Sequence, residues 1–402
     1  MLNRWTSLAL FLLLALSVCV PAEAQTARAV KPKPKAAKKA VVKKAAKPVA
    51  PVAAPVAESA DEKLADLRED MNKALAELKG STDKVKSDNS DAKVGGVIFF
   101  RWQKYLNNGG TTPNNFDVER AYLDFKKKLA GDSAVRVTLD VRRLSNSSPT
   151  SSTQNLFDYL KYAYYETPVP IPGYLKPIPL ELTAKIGLQH TCWIDWADKM
   201  LNLRFIAKSL VDNEGVMSSS DFGVGATGKF ALPGMPETEY HATLLNGSGY
   251  SASEADKKKD LGLRLNSTVY DMADMGKVIL GVFGNIKGVY TDDLDGATRQ
   301  LGGMVGYKQA LGTAYVEYLY GTGIMGYSLG GIVSVLPGTN LFARLDQYDP
   351  NRSRANDQIS RSFYGATYDW NKDIKLAADI QSSQTGSGAT ASIFYLHSQV
   401  TI

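Results

Sequence analysis

The stretch Val135-Arg-Val-Thr-Leu-Asp-Val-Arg142 alternates without a break. Val135, Val137, Leu139 and Val141 are apolar, while Arg136, Thr138, Asp140 and Arg142 are polar. Successive side chains of a β-strand point to opposite faces, so this run has one apolar and one hydrophilic face. The pattern returns along the chain. Leu180, Leu182, Ala184, Ile186 and Leu188 alternate with Glu181, Thr183, Lys185 and Gln189. Leu261, Leu263 and Leu265 alternate with Arg264 and Asn266, and Leu341, Ala343 and Leu345 with Arg344 and Asp346. Ile374, Leu376, Ala378 and Ile380 alternate with Lys375, Asp379 and Gln381.

Such segments number about sixteen, each of about ten residues, the length a tilted strand needs to cross a bilayer. They fall near 94–104, 116–129, 133–143, 159–167, 180–189, 221–231, 238–246, 260–270, 277–287, 298–309, 312–321, 327–336, 339–348, 360–370, 373–384 and 392–402. The expected fold is all-β: a transmembrane antiparallel β-barrel of about sixteen strands over 93–402, preceded by a disordered basic arm and a short α-helix. An even strand number puts both chain ends on one side. Connection lengths agree. The turns 130–132, 309–312, 337–338 and 371–372 are short, while 105–115, 144–158, 190–220, 247–259, 288–297 and 349–359 are longer and rich in Gly, Ser, Asn and Asp. The proline-rich connection 167–179 fits poorly, being long where a short turn is expected. The competing fold is a soluble β-sandwich or β-solenoid. So many one-sided strands after an export signal argue against it.

That signal occupies residues 1–24. Arg4 precedes an apolar run over 8–20, and Ala22-Glu-Ala24 fits a small-residue cleavage site. A lipoprotein reading at Cys19 is weaker, because Val18 stands where a small residue is expected. Residues 25–58 form a Lys/Ala/Pro-rich arm that cannot bury a core and favours extended polyproline II. It is either a semi-rigid spacer or a basic tether, with 25–57 contacting an acidic cell wall or membrane leaflet. Residues 59–80 read as a short helix or coiled coil. Leu64, Leu67, Met71, Leu75 and Leu78 make a helical stripe, Ser59 and Glu62 resemble a capping box, and Gly80 is a stop. The helix either self-associates or packs under the barrel mouth.

Composition excludes several classes. Only Cys192 and the histidines His190, His241 and His397 follow the signal, so no disulfide framework, metal centre or cofactor is expected. No nucleophile motif stands beside those histidines, there is no GxSxG elbow and no CxxCH, and no catalytic residue is assigned. The chain carries a net charge of +6, but residues 93–402 hold 31 basic and 30 acidic side chains, so the excess comes mainly from the arm. Nucleic acid is not an expected partner.

The connection 190–220 is too long and too apolar for a solvated loop. Trp193, Ile194, Trp196, Met200, Leu201, Leu203, Phe205, Ile206, Leu210 and Val211 need a surface to bury against. Folding into the lumen satisfies them and narrows a pore; an external subdomain or a trimer contact is the alternative. The charges it brings are Asp195, Asp198, Lys199, Arg204 and Lys208. Alternation turns Arg101, Arg120, Lys126, Arg136, Arg142, Lys161, Lys185, Arg264, Arg344 and Lys375 inward, with Asp124, Asp140, Glu181, Glu317, Asp346 and Asp379. These basic positions are the candidate pore lining, and basic rings favour anions.

Phe116-Asp-Val-Glu-Arg-Ala-Tyr-Leu-Asp-Phe125 resembles the second strand of phosphate-selective porins of the O and P type. Leu139-Asp-Val141, Leu160-Lys-Tyr-Ala-Tyr164, Gly187-Leu-Gln189 and Ser220-Asp-Phe-Gly-Val224 continue the likeness. Leu245-Asn-Gly-Ser-Gly-Tyr250, Ala343-Arg-Leu-Asp346 and Asp349-Pro-Asn351 extend it over most of 93–402. The resemblance implies a sixteen-stranded, usually trimeric outer-membrane anion channel. The family's phosphate selectivity depends on dense lysine and arginine ladders, and no comparable lysine cluster stands here. The expected function is a porin in the bacterial outer membrane, with a periplasmic N-terminal arm. Its partners are outer-membrane lipid, small anions or hydrophilic solutes, and copies of itself as a homotrimer. A structural barrel anchoring the envelope through the arm, or a sheath for a partner protein, are the alternatives.

Overall fold

The computed structural model describes residues 69–77, 79–80, 92–107, 114–143, 156–172, 179–289 and 297–402. The export signal 1–24, the arm 25–58 and the first part of the 59–80 segment lie outside the described residues. So do parts of the connections 105–115, 144–158, 167–179 and 288–297. Residues 69–77 and 79–80 are helical and belong to a compact unit separate from the barrel.

Sixteen strands form the barrel: β1 Ala92–Tyr105, β2 Asn114–Lys128, β3 Ala134–Arg143, β4 Leu156–Pro168, β5 Thr183–His190, β6 Ser220–Phe230, β7 Thr238–Leu245 and β8 Lys259–Asp271. They continue with β9 Lys277–Val289, β10 Thr298–Gln309, β11 Gly312–Gly321, β12 Met325–Leu336, β13 Thr339–Asp349, β14 Ile359–Asp369, β15 Ile374–Thr385 and β16 Ala391–Thr401. Each strand pairs antiparallel with its sequence neighbours, and β1 pairs with β16 from Val97↔Thr401 to Tyr105↔Ile393. Closure leaves no sheet edge, so backbone donors and acceptors are satisfied between strands, the condition for a sheet in hydrocarbon. All sixteen expected strands are present.

Burial follows the alternation. On β3, Thr138 and Asp140 are buried while Val137 and Leu139 are exposed. On β11, Tyr315, Glu317 and Leu319 are buried between exposed Val316, Tyr318 and Tyr320. On β13, Phe342, Arg344 and Asp346 alternate with exposed Leu341 and Leu345. The outer face is therefore apolar and the polar side chains turn inward, the pattern of a membrane-spanning barrel.

One end carries the short connections 129–133, 231–237, 272–276, 310–311, 337–338 and 370–373, and the other carries the longer 191–219, 246–258 and 350–358 together with the short 322–324 and 386–390. The connection 169–182 remains long on the short-turn end. It is held beside β6 by a bridge between Leu180 and Phe230 and by the bonds Glu181 N to Lys229 O and Ala231 N to Pro179 O. Strand β5 consequently begins at Thr183, later than the alternation from Leu180 suggested. Glu181 lies outside the strand and is exposed, not inward. The proline-rich stretch before it withholds the amide donors that would extend the ladder.

Candidate functional site

The segment 191–219 contains two short helices, α1 Ile194–Leu201 and α2 Leu210–Asn213. Asn202 ends α1 in the left-handed conformation, its N–H bonded to Asp198 O. The helix places Trp193, Ile194, Ala197, Met200 and Leu201 in one buried cluster with Phe283 of β9, Met304 of β10, Tyr315 and Leu319 of β11 and Tyr348 of β13. Leu203, Phe205 and Ile206 join a second cluster with Phe99 of β1, Phe342 of β13, Phe363 of β14 and Ala377 of β15. The partners are the buried, alternate side chains of the wall strands.

Polar ties complete the seating. Trp193 Nε1 donates to Glu317 Oε1 at 2.8 Å. Arg264 donates to Cys192 O at 2.9 Å and Arg344 to Lys208 O at 2.6 Å, and Gln381 Nε2 donates to Ile206 O at 3.2 Å. Arg361 pairs with Glu214. Arg344 also forks onto Asp346, at 2.8 and 2.5 Å. These guanidiniums bond the segment's carbonyls because a helix end or turn leaves such acceptors unsatisfied.

The polar side of α1 faces a cavity of about 550 Å³ lined by side chains of β1–β5, β15, β16 and the segment. Of the fourteen candidate residues, it gathers Arg136, Lys161, Asp195, Asp198, Lys199, Arg204 and Lys375. Arg136 forks onto Asp124 at 2.7 and 3.1 Å, lies 4.6 Å from the Tyr162 ring centroid and approaches His190 Nε2 at 3.3 Å. His190 stacks on Tyr162 at 4.1 Å. Lys199 bonds Asp195 at 2.7 Å, Arg204 lies 3.4 Å from Asp198, and Lys375 lies 3.9 Å from Asp369.

The other seven lie outside the lining. Arg101 is 3.7 Å from Asp117, which Arg143 also holds at 2.6 Å. Arg120 is 3.5 Å from Asp140 and donates to Tyr122 Oη at 2.8 Å. Arg142 packs over Tyr159 and Tyr250, at 4.8 and 5.2 Å. Lys185 pairs with Glu166 at 3.1 Å and Lys208 with Asp212 at 3.0 Å. Arg264 and Arg344 are the carbonyl anchors described above.

The two carboxylates of α1 differ. Burial raises Asp195, but His190 and Lys199 outweigh it and hold the group down to about 2. Burial dominates at Asp198, which is pushed up to about 6; Asp212 adds to the rise and Arg204 opposes it. Sequence reasoning missed Tyr122 and Tyr162 as lining residues. Tyr122 shares the parity of Arg120 and Asp124, so alternation contained that signal. Among the described residues, no group of three or more His, Cys, Asp or Glu side chains is placed to hold a metal ion.

No protein-family model and no curated protein matches the sequence. Among solved structures, the fold is similar to that of OprB from Pseudomonas putida, at 10% identity over 80% of this chain and 97% of that one, with a TM-score of 0.58. It is also similar to the outer-membrane expressed OmpT of Vibrio cholerae, at 11% identity over 77% of this chain and 97% of that one, with a TM-score of 0.51. The shared property is the fold: a closed barrel over nearly the whole length of each relative.

Proposed function

We propose that the protein is a bacterial outer-membrane porin, a water-filled channel for passive diffusion of small hydrophilic solutes and ions. The observation that carries this reading is the pairing of a closed sixteen-strand barrel, apolar outside, with a charged cavity along one wall. The expression of the similarly folded OmpT in an outer membrane supports the location. In this reading, segment 191–219 is the constriction. Its apolar side chains seat on β9–β11, β13–β15 and Phe99 of β1, and its polar side faces the cavity lined mainly by β1–β5, so solutes pass off-axis along that wall. The cavity is lined by seven cations and three carboxylates, which supports a mild anion preference.

The remaining assignments follow from the same reading. Residues 1–24 are the export signal, 25–58 a periplasmic arm touching the cell wall, 59–80 a helix, and the barrel assembles as a homotrimer in lipid. Purified mature protein added to a planar lipid bilayer is expected to give discrete conductance steps. Silence from folded, heat-modifiable barrel overturns the porin reading. Deleting 193–211 is expected to raise the step size, and an unchanged step removes the constriction.

A further inference from the structure

Three lysine or arginine side chains among the described residues are buried: Arg120 at 7% exposure, Lys161 at 6% and Arg344 at 1%. Arg120 has Asp140 at 3.5 Å, and Arg344 has Asp346 at 2.5 Å. Lys161 has no carboxylate at ion-pair distance among the described residues. Its Nζ donates to Tyr122 Oη at 3.0 Å and lies 4.4 Å from the centroid of that ring and 5.5 Å from that of Tyr162. A ring face stabilises an ammonium by less than burial costs it, so these contacts alone leave the charge undercompensated.

The backbone aims Lys161 deliberately. Opposite β3 the register of β4 slips: Thr138 pairs with Tyr162 and Leu139 with Leu160, leaving Lys161 as the extra residue of a bulge. A bulge redirects side chains, and here Lys161 and Tyr162 are both buried. The nearby carboxylates are engaged elsewhere. Asp124 accepts from Arg136, Lys126 and Thr138, Asp195 pairs with Lys199 and Asp198 with Arg204. Tyr122 Oη accepts from both Arg120 and Lys161, so its own hydrogen is left for another acceptor. The phenol O–H and the remaining ammonium hydrogens thus stand side by side in the lining of the 550 Å³ cavity.

We infer that Lys161 and Tyr122 form a binding site for one small monovalent anion, a halide or a short monocarboxylate, that serves as the missing counter-ion. Among the described residues, Lys161 is the one buried cation of the lining without a carboxylate partner, which suits one negative charge; Lys93, also without an ion pair, is exposed. A dianion needs a second unpaired cation buried beside Lys161, and Arg136 and Arg204 are already paired. The inference rests on the porin reading, since the anion must reach the cavity through the channel.

The test uses the mature protein in planar bilayers with Lys161→Met and Lys161→Arg. Wild-type conductance is expected to saturate with rising KCl, as transport through a binding site does. Acetate is expected to compete with chloride, and phosphate at pH 8 to compete no better. Lys161→Met is expected to give linear conductance and a several-fold lower anion-to-cation permeability ratio, while Lys161→Arg keeps saturation. The Met variant is expected to fold, because its stem fills the same space without a buried charge. Wild-type conductance linear in KCl, saturation that survives in Lys161→Met, or tighter block by phosphate than by acetate each overturns the site. A linear wild-type channel removes the site and leaves the porin reading standing; absence of any conductance removes both.

Discussion

The indole Nε1 of Trp193 donates to Oε1 of Glu317 at 2.8 Å, with both side chains fully buried. The bond joins the start of segment 191–219 to β11, across 124 residues of chain. Trp193→Phe keeps most of the ring in its cluster with Phe283 but strips Glu317 of its donor. A buried acceptor left unsatisfied costs about 1–3 kcal/mol. The variant is expected to unfold at lower urea in detergent and to give noisier channel currents. Unchanged stability would show that the bond does not tether the segment.

The wall is also shaped to receive the segment. A Cβ added at Gly281 of β9 would collide with the Trp196 ring, and one at Gly306 of β10 would meet Met200 Cε. The obstacles differ in kind. Trp196 is a rigid plane packed against Trp193, at 4.9 Å between centroids, whereas Met200 Cε is the tip of a flexible chain. Gly281→Ala is expected to cost about 1–3 kcal/mol through overpacking. Gly306→Ala is expected to cost clearly less in the same urea titration. Equal costs would mean that the segment is not seated on β9 and β10 as a rigid body.

Strands were legible because the alternation is local. Val135 to Arg142 reveals its two faces without reference to any other residue, and the same holds for Leu341 to Asp346. What joins elements was not legible. The bulge at Lys161 is a property of the register between β3 and β4, and simple alternation would not have turned Tyr162 to the same side. The apolar content of 190–220 announced that it must be buried, but not that Trp193 would meet Glu317 or Arg344 the Lys208 carbonyl. Parity identified inward cations. It could not separate Arg136 and Lys161, which the cavity collects, from Arg264 and Arg344, which hold backbone carbonyls, because that division depends on where the segment lies.

Arg344 shows how such an anchor behaves energetically. Its guanidinium is buried, forked onto Asp346 and bonded to Lys208 O. Arg344→Met leaves Asp346 without its partner in the interior, a loss of about 3–5 kcal/mol. Replacing both partners, Arg344→Met with Asp346→Leu, removes the stranded charge and is expected to recover most of that loss. The recovery is read as the interaction energy of a double-mutant cycle. Additive single losses would show that the pair is not coupled.

On the porin reading proposed above, Asp198 sets the expected dependence on pH. Burial holds this carboxyl up at about 6 against an ordinary value of 3.8, with Asp212 reinforcing the rise and Arg204 opposing it. Because the folded state binds the proton more tightly than the unfolded one, the group's stabilising contribution is complete below the unfolded value. It is lost as pH rises through about 6. Acidification from pH 7.5 to 5 therefore removes one negative charge from the cavity lining without a stability penalty from this residue. Arg204, the guanidinium beside it, keeps its charge, so the reversal potential in a salt gradient is expected to shift toward anions. Asp195, held near 2, does not titrate in this window. Asp198→Asn is expected to show the acid-form selectivity already at pH 7.5 and to change less between the two pH values. A variant whose selectivity still shifts as much as wild type would assign the titration to another group.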